Sequence, residues 1–417
     1  MTPRVRPDRA RVTCSLALAA LTAAAACRGS DGGVPVQAAL PAPAPAPADA
    51  SSPPVVETTP PWTDALSAFP HVEPLRVIAL PTRATEPRFD VGGPAIIGTI
   101  AVVSSSQFGF IGVDWRAGTI AWTKPAGSRV APPLARPGSA ILIGDCVTPP
   151  PVAAADQLLG CLRAVTPTGA DQVYVAIRGP AAQVATFLAA AGPQRVWATS
   201  DRTLTWRRGA AAVSVDTLTG VAQPVDLAGA ADPPIPIHYR DKTWAITRAA
   251  DGTLHARSAG RDAWHTERPY GALLGGVYLP EQAPMVRAVN LGHYGGSPEL
   301  TLFDIDATGS LHGQVAFPVP ALGLLGSAIS AVGDAALAIR LDRSLRHDYI
   351  VGYAASALLM YVYPLPDVPR ADPVGVAVTP DAVVVFHDGD TVTVLPELSA
   401  PPTAAGAARP PSENTTP

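Results

Sequence analysis

Carboxylates and imidazoles are the side chains of this 417-residue sequence best suited to chemistry, and they occur in four short groups. Asp304-x-Asp306-x-Thr308-Gly309 has the alternating oxygen donors that open a calcium loop, but no bidentate acid follows at the twelfth position. Arg346-His347-Asp348 and His387-Asp388-Gly389-Asp390 set His beside carboxylate, the pairing a general base needs. Adjacency in sequence does not make a triad, so both are expected as surface turns. His293-Tyr294-Gly295-Gly296-Ser297 is a Gly-rich loop suited to lining an opening. There is no Gly-x-Ser-x-Gly elbow and no phosphate-cradling loop. The sequence therefore presents no catalytic residue, no metal ligand set and no cofactor-binding residue.

The cysteines are more informative. They stand at Cys14, Cys27, Cys146 and Cys161, and the first two belong to a targeting segment. Arg4, Arg6, Arg9 and Arg11 precede the uncharged apolar run from Cys14 to Ala26. At 1.5 Å per residue that run covers about 20 Å, short of the roughly 30 Å hydrocarbon core, so residues 1–26 read as a signal peptide rather than a membrane span. The run ends in Ala24-Ala25-Ala26-Cys27, which resembles the lipobox of bacterial lipoproteins, with Ala24 where Leu is usual. The resemblance implies lipidation of Cys27; cleavage at an ordinary small-residue site is the alternative. Arg28 rather than Asp follows the Cys, which by analogy with the sorting rule of enteric bacteria points to the outer membrane or cell surface. Once Cys14 is removed and Cys27 carries lipid, Cys146 and Cys161 remain, in strand-like runs joined by a Pro-rich loop. In an exported protein that pair is expected to form a disulfide.

Composition bounds the rest. A chain that is 47% hydrophobic and 15% charged is not an unfolded polyelectrolyte, and 47 Pro exclude a mostly helical protein. The net charge is −4, and removing the net +3 of residues 1–26 leaves −7. A mature chain of that sign has no bulk attraction for nucleic acid or anionic lipid surfaces. Residues 27–73 comprise the lipid anchor and a tether with the Pro-Ala alternation Pro41 to Pro47, expected as extended polyproline-II backbone. The Pro/Ala-rich tail 397–417 is expected to be disordered; its Asn414-Thr415-Thr416 sequon lies behind a bacterial-type signal.

Between residues 74 and 396, short β-rich runs alternate with turn residues in modules of about 46 residues, the period of propeller blades. First strands are expected near Ala95–Val103, Ala140–Cys146, Gln194–Thr199, Pro234–Tyr239, Leu273–Leu279, Leu324–Ala331 and Pro373–Val378. That makes seven blades, with eight as the alternative. The last module is one strand short, and Leu75–Leu80, isolated before the first blade, is expected to complete it and close the ring. Asp251-Gly252 and Asp388-Gly389 read as type I′ hairpin turns; Ala117-Gly118, Thr219-Gly220 and Thr308-Gly309 supply a Gly where positive φ is needed. Val184, Phe187 and Leu188, at i, i+3 and i+4 before Gly192, predict a short surface helix over 181–190.

These elements carry a family resemblance. Phe110-Ile111-Gly112-Val113-Asp114-Trp115-Arg116-Ala117-Gly118-Thr119-Ile120-Ala121-Trp122 is similar to the repeat of quinoprotein-like (PQQ-like) β-propellers: an apolar strand, Asp, a turn Gly, and Trp four residues later. Val213–Gly220 and Leu302–Gly309 repeat it without the Trp, and Gly260–Trp264 keeps the Gly-to-Trp spacing without the Asp. The resemblance implies an all-β propeller in which the Trp covers the contact between blades. It does not bring the family's cofactor, because quinoprotein dehydrogenases use a vicinal Cys-Cys pair that this sequence lacks. The expected function is that of a monomeric, lipid-anchored, non-enzymatic scaffold that binds envelope proteins. The alternative is an exported carbohydrate or small-ligand binder, or a propeller enzyme (hydrolase, lyase or quinoprotein).

Overall fold

The computed structural model describes residues 69–81 and 92–398, apart from residues 128, 149–156, 193, 228–232, 260, 268, 278–282, 295–296, 318–322, 331, 341–347, 357–358 and 367–373. Cys27, residues 28–68 of the tether and the Asn414 sequon lie outside these residues.

Among the described residues the chain forms seven four-stranded antiparallel sheets. Blades 1 to 6 take up residues 92–124, 134–179, 194–224, 235–265, 272–317 and 323–364 in chain order. Blade 7 is composite: Gly375–Val378, Ala382–His387 and Thr391–Pro396 come from the C-terminal end, and Arg76–Ala79 pairs onto its outer edge. The closing register sets Arg76 opposite Val394 and Ala79 opposite Thr391, with Leu75 N–H and Leu80 N–H extending the ladder to the carbonyls of Val394 and Asp390. Closure by the N-terminal strand is thus as the sequence implies. The chain's grip on the ring begins earlier, at Phe69: it packs among the side chains between blades 5 and 6, and Pro70 C=O accepts the Val362 N–H at 2.8 Å.

Two first strands differ from expectation. Ala95–Val103 contains a hairpin, because Gly98 turns the chain at φ +66° between Gly92–Ile97 and Ile100–Ser105. Ser139–Gly144 is the second strand of blade 2; the three-residue Leu134–Arg136 precedes it and was masked in the sequence by the surrounding Pro. Inner strands such as Ile100–Ser105 and Ala382–His387 are buried along their whole length, since both faces of a blade pack against neighbouring blades. The helix spans Ala181–Ala189 between blades 2 and 3, and buries Val184 and Phe187.

Specific side chains join the blades. Trp122, at the outer edge of blade 1, donates from Nε1 to Pro167 C=O in blade 2 at 3.0 Å, and its ring lies where a Cβ on Gly169 would stand. Trp264 of blade 4 does the same to Ala307 C=O of blade 5 at 2.7 Å, over Gly309. The Trp of the repeat therefore spans the seam to the following blade, and the turn Gly there is what lets the indole approach. Between blades 5 and 6 the joint is ionic. Arg287, fully buried, is held bidentately by Asp304 at 2.8 and 2.9 Å and donates to Gly333 C=O and Ala355 C=O across the seam.

Within blade 2, Cys146 and Cys161 form the expected disulfide, with Cα atoms 5.0 Å apart and a sequence separation of 15. By loop-closure entropy such a bridge contributes about 3 kcal/mol.

Candidate functional site: a recess beside the ring closure

In a four-stranded antiparallel blade the first–second and third–fourth turns lie at one end, and the second–third turn and the link to the next blade at the other. At the first end, where blades 6, 7 and 1 meet, the turns enclose a recess of about 600 Å³. Blade 1 contributes Gly98-Thr99 and Trp115-Arg116, blade 6 Ser330 and Val332, and blade 7 Val378–Asp381. Val332 is 56% exposed although apolar.

Trp115 is the unusual member. Its ring is 5% exposed and its backbone N–H is held by Thr99 C=O at 3.1 Å, yet among the described residues its buried Nε1–H has no hydrogen-bond partner. A buried donor without an acceptor costs about 1–3 kcal/mol, and the indole that carries it lines the recess. The Arg116 guanidinium lies 5.1 Å from the Trp115 ring centroid and pairs with Asp381, so the two side chains bridge blade 1 to blade 7 at the rim. The sequence motif contains Trp115, but its significance is positional: the equivalent residue after Asp is Thr217 in blade 3 and Ala307 in blade 5, both buried. No signal in the sequence could have joined it to Val332 or Asp381.

The residues singled out for chemistry are occupied by structural bonds. Asp114, Asp216 and Asp306 each accept backbone N–H groups of their own third–fourth turn. The Thr219 N–H foremost, with Leu218 N–H and Arg202, holds the Asp216 carboxyl below the usual range against some desolvation. For Asp306, burial pushes upward, but the Thr308 hydroxyl, His312 and two backbone N–H groups outweigh it and the net direction is down. These carboxylates fasten turns. In the Asp304–Asp306 pair, Asp304 is committed to Arg287 and Asp306 to its turn.

His387 departs from the surface turn expected of it. It is 2% exposed, with Nδ1 2.8 Å from Asp388 and Nε2 2.8 Å from Thr393 Oγ1. A carboxylate only accepts, so Nδ1–H donates to Asp388, while Nε2 and the Thr393 hydroxyl share the second bond. Thr393 is 1% exposed, which makes this chain a sealed brace inside blade 7. The turn beside it is type I′, with φ +58° at Asp388 and +67° at Gly389. At Asp251-Gly252, by contrast, only Gly252 has positive φ, so the type I′ expectation fails there; the Asp251 side chain instead accepts from Thr253 N–H. Asp348 of the second His–carboxylate group forms a bidentate pair with Arg340, while Arg346 and His347 lie outside the described residues. His293-Tyr294 and Ser297 end the two long strands of a blade 5 hairpin, at the end opposite the recess.

The architecture and the recess define a closed seven-bladed β-propeller with an apolar recess beside its closure. No family model and no curated protein matches the chain. Solved structures similar to it include BamB from Moraxella catarrhalis, 13% identical, with 78% of this chain and 99% of that chain covered and a TM-score of 0.40. The β-propeller domain of Cps50 (Swd1) from Myceliophteria thermophila is 11% identical over 77% and 99% of the two chains, with a TM-score of 0.45. Hsv2p from Kluyveromyces lactis is 8% identical over 72% and 89%, with a TM-score of 0.41. The likeness is one of fold.

Proposed function

We propose that this chain is an exported protein, lipid-anchored through Cys27, that acts as a non-enzymatic scaffold at the cell envelope, on the outer membrane or cell surface. Its recess holds a segment of a partner envelope protein, an apolar side chain filling the space and a backbone carbonyl accepting the Trp115 Nε1–H. The observation that carries the reading is the Trp115 indole, which lines an open, largely apolar recess and keeps an unpartnered Nε1–H, with exposed Val332 at the recess edge. Placement outside the cytoplasm is supported by the Cys146–Cys161 disulfide, and binding rather than turnover by the structural use of the turn carboxylates and His387. A carbohydrate or other small ligand is the second reading, since about 600 Å³ lies within the range of small-molecule sites.

Trp115→Phe tests the reading, because it keeps the shape and removes the N–H. Natively anchored protein carrying it should recover its partner about five- to tenfold less well, the worth of one hydrogen bond, with thermal stability unchanged or slightly raised by loss of the buried orphan. Recovery equal to wild type would contradict it. The anchor is tested by fractionation: Cys27→Ser should move the protein from the membrane to the soluble fraction, and a soluble wild type would refute lipidation.

A further inference from the structure

Blade 4 carries a feature that the scaffold reading does not use. His255, in the third strand (Leu254–Ser258), lies directly opposite His265, in the outer strand (Arg261–His265), and the rings stack with centroids 5.8 Å apart and 23° between planes. The adjacent pair Leu254/Thr266 carries the cross-strand bonds: Thr266 N–H donates to Leu254 C=O, and Leu254 N–H to Thr266 Oγ1, both at 2.9 Å. The two His therefore occupy a non-hydrogen-bonded position, where opposed Cα atoms approach to about 4.5 Å and side chains are closest. His265 is exposed and His255 half-buried, so the pair is open to solvent.

A relay fixes which nitrogen of His255 is available. Thr253 Oγ1 donates to Asp251 Oδ1 at 2.7 Å, and the same oxygen lies 3.0 Å from His255 Nε2. With its hydrogen committed to the carboxylate, the Thr hydroxyl can only accept, so neutral His255 carries its proton on Nε2 and leaves the Nδ1 lone pair unprotonated. A ligating His whose other ring nitrogen donates into a hydroxyl–carboxylate chain is the arrangement that orients imidazole toward a metal.

We propose that His255 and His265 chelate a late first-row divalent metal ion, with water completing its coordination shell. Two imidazoles on a rigid ladder suit Cu(II), Ni(II) and Zn(II), and the general order of stabilities places Cu(II) first. The ion ties the outer strand of blade 4 to its neighbour.

Cu(II) titration of the full mature chain tests this, read by calorimetry and by electron paramagnetic resonance. Saturable binding of one ion per chain with a two-imidazole nitrogen signature is expected. His265→Gln, at an exposed position where folding is not at stake, should weaken it at least tenfold, and Thr253→Ala several-fold through loss of the relay. His238→Gln, at the other exposed blade 4 histidine, should leave it unchanged. No saturable binding, or a His265→Gln protein that binds as tightly as wild type, overturns the proposal.

Discussion

A chain beginning at Gly92, without the strand Arg76–Ala79, is expected to lose most of the stability of the ring. The closing ladder includes the four paired positions of that strand and the flanking bonds from Leu75 and Leu80, and each backbone hydrogen bond is worth about 1 kcal/mol net. Ile78 and Leu80 are buried between blades 7 and 1, at roughly 1.5–3 kcal/mol apiece. A loss on the order of 5–10 kcal/mol is comparable with the whole stability of an ordinary domain. The truncation also bares the strand Thr391–Pro396 as a long apolar edge, an invitation to aggregate. Removing residues 28–68 instead stops short of Phe69 and Pro70 and should leave the melting temperature essentially unchanged. Calorimetry of the two chains decides the matter, and equal stability would mean that the N-terminal strand is dispensable to the ring.

Arg287→Ala should be the most damaging single substitution in the ring. It strands Asp304 in the seam between blades 5 and 6 and removes the donors of Gly333 C=O and Ala355 C=O. Breaking a buried pair by deleting one partner costs about 3–5 kcal/mol, which for a domain of this size lowers the melting temperature by roughly 5–15 °C. Replacing both ions, Arg287→Met with Asp304→Leu, should recover most of that loss, since the charges then leave together. Thermal unfolding of the two variants provides the comparison; a single variant as stable as the double one would show that the pair is not desolvated as the structure has it.

Arg287 also marks the limit of what could be read from the residues. Blade number, hairpin glycines, the helix and the closing strand were legible because each rests on local pattern: alternating apolar runs, Gly at positive φ, and an i, i+3, i+4 stripe over Val184, Phe187 and Leu188. The disulfide was legible from cysteine number and compartment. Arg287 and Trp115 were not, because their roles come from blades meeting in space. In sequence one is an Arg inside a strand, and the other is a Trp beside a turn. His387 misled for the same reason, since a His next to Asp-Gly has the composition of an exposed turn, and only its place in the folded blade 7, bonded to Asp388 and Thr393, shows that it is buried. Leu134–Arg136 was hidden because three residues among prolines have too little alternation to register.

Site-specific photocrosslinking in intact cells tests whether the recess beside the ring closure holds an envelope protein. A photoreactive residue at Val332, on the recess, is compared with one at Leu218, equally exposed on a third–fourth turn at the same end of blade 3. A discrete adduct with an envelope protein is expected at Val332, diminished by Trp115→Phe, and none at Leu218. Adducts of equal yield at both positions, or none at Val332, would contradict it.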